Sequence, residues 1–193
     1  MVKKNVAVLV SGGGTNLQAL IYAEKSGIIS SGTISLVVSN KESAYALERA
    51  KNAGIQGVYI PRGKDFEVSL VKLLEEKNID IIVLAGFLSI LSETFVRKYD
   101  KKIINVHPSL IPSFCGDGFY GLKVHEAALA KGVKVTGATT HFVNEITDGG
   151  EIIMQKAVEI APDDTAESLQ LKVMQEAEWK ILPLSVEKVC SEI

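Results

Sequence analysis

Asn105 and His107 stand two residues apart at the end of an apolar stretch, IINVHP. Alternate residues of a strand share a face, so an amide and an imidazole point the same way there. An amide N–H can donate to a developing oxyanion, and an imidazole can donate to the same charge or move a proton. That pair suits chemistry at a carbonyl, although a histidine at a strand end can also simply be satisfied by backbone. A second polar cluster is HFVNEITDGG at residues 141–150. Asp148 in it could orient or charge His107, as in other His–Asp pairs. Asp148-Gly149-Gly150 is equally good turn chemistry, and spacing alone does not bring Asp148 to His107. The third feature is Ser11-Gly12-Gly13-Gly14-Thr15-Asn16. Its glycines let backbone N–H groups approach an anion at a helix N-terminus, and Thr15 and Asn16 can cap that helix or donate to phosphate oxygens. It matches neither the dinucleotide fingerprint nor the P-loop, because position 17 is Leu and no Gly-Lys-Ser/Thr ending follows. A small phosphate, such as a sugar 5′-phosphate, is what remains.

These residues need a scaffold. Residues 5–10 (NVAVLV) form a continuous apolar run, the pattern of a strand buried on both faces. Further strands are expected at 34–39, 58–60 and 79–85. Helices are expected at 15–25, at 44–53 with Gly54 ending it, and from an Asp65 cap through 76. This alternation predicts a parallel sheet with right-handed crossovers. The second half differs: a strand at 102–106, a loop rich in Pro and Gly, a helix at 122–131, and strand-like stretches at 133–143 and 151–158 joined as a hairpin. A last helix spans about 165–188, bent before Pro183. The expected fold is one α/β domain over residues 1–193. It is a Rossmann-like, mostly parallel twisted sheet flanked by helices, with a C-terminal antiparallel hairpin and a long final helix. Ligands of such sheets bind beyond the carboxyl ends of the strands.

Composition narrows the function. An apolar share of 47% and a charged share of 23% are ordinary for a globular chain. A net charge of −2 offers no basic footprint for nucleic acid. The N-terminal apolar run is too short for a signal peptide, and no run reaches the roughly 18–20 residues of a membrane span. Cys115 and Cys190 read as free thiols of a reducing, cytoplasmic compartment. His107, His125 and His141 lack metal spacing, so no metal is expected. His125 reads as a solvated helix residue, Trp179 as core packing, and His141 as core or as support for the site.

The chain resembles the phosphoribosylglycinamide formyltransferase family, folate-dependent enzymes of purine synthesis, over almost its whole length. The segments that carry the resemblance are VLVSGGGTNLQAL (8–20), VVSN (37–40), LAGFLSIL (84–91), INVHPSLIP (104–112), GATTHFVNEITDGGEIIMQ (137–155) and Gln175-Glu176. Other 10-formyltetrahydrofolate enzymes share versions of the HPSL and DGG segments, and the SGGGTN loop marks the glycinamide ribonucleotide branch. The resemblance implies a transfer of the formyl group of 10-formyltetrahydrofolate to the amine of N1-(5-phospho-β-D-ribosyl)glycinamide. It implies a catalytic trio of Asn105, His107 and Asp148, with Asp148 raising the pKa of His107. Gly14, Thr15, Asn16 and Glu176 would hold the ribonucleotide. Leu88, Ser89, Ile90, Leu91, Asn144, Glu145, Ile146 and Thr147, with Asn105 and Asp148, would hold the folate. Lys64, with Arg62 as the alternative, would meet the folate tail, and Thr139 would lie near a water network.

By the same reading, residues 1–100 bind phosphate and ribonucleotide while 101–193 bind folate and perform the chemistry. The partners are the two small-molecule substrates, with no metal, nucleic acid or membrane, in a monomer or homodimer. The loop SFCGDGFYG departs from the shortest family versions. The rival readings are another 10-formyltetrahydrofolate enzyme, a hydrolase or other formyltransferase, and a non-catalytic nucleotide-binding module.

Overall fold

The computed structural model describes residues 2–193. Its first half alternates β1 (Lys4–Val10), α1 (Thr15–Lys25), β2 (Gly32–Ser39), α2 (Tyr45–Asn52), β3 (Gln56–Tyr59), α3 (Phe66–Glu76) and β4 (Ile81–Leu84). Then come α4 (Glu93–Lys98), β5 (Ile103–His107), α5 (Leu122–Lys131), β6 (Val135–Phe142) and β7 (Ile152–Glu159). The chain closes with α6 (Ala166–Val173), a π-helical turn (Met174–Glu178) and α7 (Trp179–Glu192).

One seven-stranded sheet has the order β3-β2-β1-β4-β5-β6-β7. Strands β1 to β5 pair in parallel, whereas β6 and β7 run antiparallel. The double-sided burial of β1 explains its unbroken apolar run. Val6, Val8 and Val10 pack with Leu17, Leu20 and Leu182 on one face, and Ala7 and Leu9 pack with Leu70, Leu74 and Phe95 on the other. The chain builds outward from β1 to β3, then returns to place β4 and β5 on the opposite side. That reversal opens a crevice beyond the ends of β1 and β4, the usual ligand position of an open α/β sheet.

Four expectations are corrected. Helix α4 was not foreseen, since its six residues carry too little periodicity; it is marked by Ser92, whose hydroxyl accepts from Phe95 N–H. Asp65 occupies the N-cap position of α3 but its side chain makes no capping bond. At α1 the N-cap is Gly14, so neither Thr15 nor Asn16 caps that helix. The final helix is interrupted at the π-helical turn, and Pro183 lies inside α7 without ending it.

Candidate active site

Strand β5 sets Asn105 and His107 on one face, and antiparallel β6 places His141 opposite Asn105 and Thr139 opposite His107. Asp148 arrives from the turn beyond β6 in the left-handed conformation, φ 55. Its carboxylate lies 3.4 Å from His107 Nδ1 and 3.6 Å from His141 Nε2. It also accepts from Gly116 N–H at 2.9 Å, which ties the 112–121 loop to the same centre. Asn105, His107 and Asp148 therefore meet, and His141 joins them as a fourth member.

His141 decides how Asn105 is presented. Its Nδ1 lies 2.8 Å from Phe142 O, a pure acceptor, so the hydrogen belongs on Nδ1. In the neutral ring, Nε2 is then left to accept from Asn105 Nδ2 at 3.1 Å. This network assigns the amide with its NH2 toward the centre. One N–H is engaged with His141, and the second remains for a substrate oxygen.

His107 is 4% exposed and has acceptors at both ring nitrogens. Nε2 lies 2.9 Å from Phe114 O, and Nδ1 faces Asp148. Only the imidazolium satisfies both neighbours, yet burial opposes the charge. Burial prevails over Asp148 and the Phe114 carbonyl and holds the His107 pKa below its ordinary value. Asp148 raises that pKa, as expected, but desolvation outweighs the ion pair and the net shift is downward. For Asp148, burial pushes upward, but the adjacent His141, the Gly116 N–H and the His107 imidazole bring its pKa below the usual carboxylate range. The centre is a fixed carboxylate beside a histidine whose slot a proton completes.

The glycine loop lies at the end of β1. Gly14 has φ 73, and a Cβ there would stand 2.6 Å from Ala46 Cβ, so glycine is required twice over. Helix α2 braces the loop from behind, with Ala46 N–H donating to Gly12 O at 3.1 Å and Arg49 Nε to Gly13 O at 2.7 Å. With no side chain capping α1, its first-turn N–H groups are left for an anion, beside exposed Thr15. Asn16 is buried and donates to Glu178 Oε2 at 2.7 Å. Glu178 is buried and burial pushes its pKa up, whereas Glu176 is exposed. The wide π-helical turn shifts the register of the helix and aims Glu178 at α1. The carboxylate brought to the glycine loop is Glu178, two residues beyond the one expected.

Leu88, Ser89, Ile90 and Leu91 form the loop after β4, on the other side of the crevice. Leu88 is 54% and Ile90 87% exposed, an apolar rim at the site, whereas Leu91 is buried. In the 144–150 loop, Asn144 Oδ1 accepts from Ile146 N–H at 3.0 Å and Thr147 Oγ1 donates to Asp117 at 3.1 Å. Glu145 pairs with Arg97 of α4 at 2.9 Å. Lys64 is exposed ahead of α3, and Arg62 reaches the Leu88 carbonyl. Thr139 is buried and donates to Ser109 O at 2.7 Å.

Two further readings are corrected. His125 is fully buried in α5, without a hydrogen bond at either ring nitrogen, and burial drives its pKa down to about 4. Trp179 is only partly buried and lines a groove of about 560 Å³ between α1 and α7.

The formyl transferase family profile matches residues 4–186. The chain belongs to the formyl transferase family. It is 40% identical to the phosphoribosylglycinamide formyltransferase of Haemophilus influenzae over 188 residues, 95% of this chain and 85% of that one. It is 37% identical to the chloroplastic phosphoribosylglycinamide formyltransferase of Vigna unguiculata over 195 residues, 98% of this chain. The chain spans only 62% of that plant relative's length. Among solved structures, phosphoribosylglycinamide formyltransferase from Anaplasma phagocytophilum superposes with a TM-score of 0.88 at 40% identity, covering 98% of this chain and 88% of that chain. The α/β fold with its antiparallel C-terminal strands is the family's, and no helix among the described residues is long and apolar enough to cross a membrane.

Proposed function

We propose that this protein transfers the formyl group of 10-formyltetrahydrofolate to the amine of N1-(5-phospho-β-D-ribosyl)glycinamide, giving formylglycinamide ribonucleotide and tetrahydrofolate. The observation that carries the reading is that Asn105, His107 and Asp148 stand at the same carboxyl edge of the parallel strands β1, β4 and β5 as an anion-ready loop held by Asn16 and Glu178. The 5′-phosphate sits on the first turn of α1 at Gly14, Thr15 and Asn16. The folate sits against the 86–91 and 144–150 loops.

The amine nitrogen attacks the formyl carbon, and the carbonyl π pair moves onto oxygen. Asn105 donates its second N–H to that oxyanion. The same negative charge, added to Asp148, raises the proton affinity of His107, which takes a proton from the new ammonium centre. The C–N bond to the folate then breaks, its electron pair stays on the folate nitrogen, and His107 returns the proton there. Because Phe114 O holds Nε2, His107 reaches the substrate by exchanging that bond. A donor aimed at an oxyanion contributes about 100- to 1,000-fold in rate, and holding two substrates in line supplies much of the rest.

The test is absorbance-monitored release of tetrahydrofolate from 10-formyltetrahydrofolate with and without the ribonucleotide. Turnover that requires the acceptor supports transfer. Equal turnover without it would make the protein a formyl-folate hydrolase.

A further inference from the structure

We propose that Arg62 is a positioning residue for the folate side of the site: it latches the loop of residues 86–91 in its binding shape. The loop follows β4; Phe87 and Leu91 pack into the core, whereas Leu88 and Ile90 project outward, so the segment between the two anchors has little apolar packing of its own. The backbone of one residue, Leu88, is gripped from two directions. Leu88 N–H donates to Ser11 Oγ at 2.9 Å, from the end of β1. Leu88 O accepts from Arg62 Nη2 at 2.7 Å, from just beyond β3. Asn40, at the end of β2 and 4% exposed, links the two grips. In the amide orientation that pairs every donor with an acceptor, its nitrogen donates to Ser11 Oγ at 2.8 Å. Its oxygen then accepts from Arg62 Nε at 3.0 Å, Arg62 Nη2 at 3.2 Å and Ser89 Oγ at 2.8 Å.

The chemistry selects arginine. A guanidinium presents donors in a rigid planar fork. Here Nη2 serves the Leu88 carbonyl while Nε serves the Asn40 amide, and one lysine nitrogen cannot hold that geometry. Without Arg62, Leu88 O loses its partner and the Asn40 amide loses the contact that fixes which way it faces. Leu88 N–H then shares Ser11 Oγ with an unanchored neighbour. Lys64, two residues later, is exposed and takes no part in this network. Arg62 thus acts on the folate through the loop, and its Nη1 lies outside these bonds.

This inference rests on the reading of the 86–91 loop as a folate-binding element, so one arm of the test does not depend on activity. Backbone hydrogen exchange of the full chain at Leu88, whose N–H is held by Ser11 Oγ, should accelerate about tenfold or more in Arg62→Ala, the effect of losing one charge-assisted hydrogen bond. Unchanged exchange there overturns the latch, whatever the enzyme does. In steady-state kinetics, Arg62→Ala should raise KM for 10-formyltetrahydrofolate about tenfold. KM for the ribonucleotide should stay within about twofold, with Arg62→Lys in between. A merely structural role would lower the melting temperature and move both KM values together, and that result overturns the proposal. If the parent protein shows no formyl transfer, the functional reading fails, while the exchange arm still decides the latch.

Discussion

Replacing Glu178 or Glu176 separates two accounts of how the ribonucleotide is held. Glu178→Ala removes the partner of Asn16 Nδ2 at a position only 7% exposed. A hydrogen bond to a charged group contributes about 1.5–3 kcal/mol, and an unsatisfied buried donor costs a similar amount. At about 1.4 kcal/mol per factor of ten, KM for the ribonucleotide should rise about 10- to 150-fold while KM for the folate stays put. Glu176→Ala, on the exposed side of the π-helical turn, should change neither by more than about twofold, as is usual for surface substitutions. Stability gives a second readout, because burial raises the pKa of Glu178. A carboxyl whose folded pKa lies above its unfolded value costs stability above that unfolded value, and the cost fades as pH falls through the folded pKa. Glu178→Gln keeps an acceptor for Asn16 without the charge, so it should be at least as stable as the parent at pH 7. The assay is initial rate against ribonucleotide concentration at saturating folate, beside urea melts. An unchanged KM in Glu178→Ala, or an equal rise in Glu176→Ala, would refute the reasoning.

Asp148→Asn should lower kcat/KM about 100- to 1,000-fold, the scale of losing one preorganised electrostatic group; a loss under tenfold would remove Asp148 from the mechanism. Since burial lowers the His107 pKa, the acid limb of kcat/KM should fall below the ordinary histidine value of about 6.5, and a limb above pH 7 would contradict a neutral resting ring. Gly14→Ala should cost about 2–3 kcal/mol in urea melts, from the left-handed backbone and the contact with Ala46; adding Ala46→Gly should recover only the contact part. His125 has a folded pKa of about 4 against an ordinary 6.5, so its contribution is complete above about pH 6.5 and declines toward pH 4, by at most about 3 kcal/mol. His125→Phe should therefore lose less stability between pH 7 and pH 4.5 than the parent, and an equal loss would rule His125 out as the source.

The strands and the shared face of Asn105 and His107 were legible because they follow local rules. Residues 5–10 carry the apolar run that double-sided burial demands, and Asn105 and His107 share a face by the period of two. From its residues Asp148 read equally as turn chemistry and as a partner of His107, and only the resemblance assigned it, since its meeting with His107 depends on the antiparallel β5–β6 register. The same register supplies His141, whose TTHFV setting reads either as core or as support for the site. Glu178 escaped because the resemblance put the carboxylate at the Gln175-Glu176 pair, whereas the π-helical turn brings Glu178 and not Glu176 to Asn16. His125 escaped because a lone histidine on a short helix is ordinarily solvated. Here the Val124, His125 and Ala128 face of α5 is buried against the body of the protein. The role of Arg62 needs four strand ends at once, and no spacing in the chain records that.

The central claim is that the formyl carbon passes to the ribonucleotide amine in a site built by Asn105, His107 and Asp148. The most direct measurement follows a 13C label in the formyl group of 10-formyltetrahydrofolate by NMR, in the parent protein and in Asn105→Ala. The label should appear as a formamide on the glycinamide nitrogen, at a rate cut about 100-fold or more by the substitution. Label released as free formate, or a transfer rate that Asn105→Ala leaves unchanged, would contradict the account.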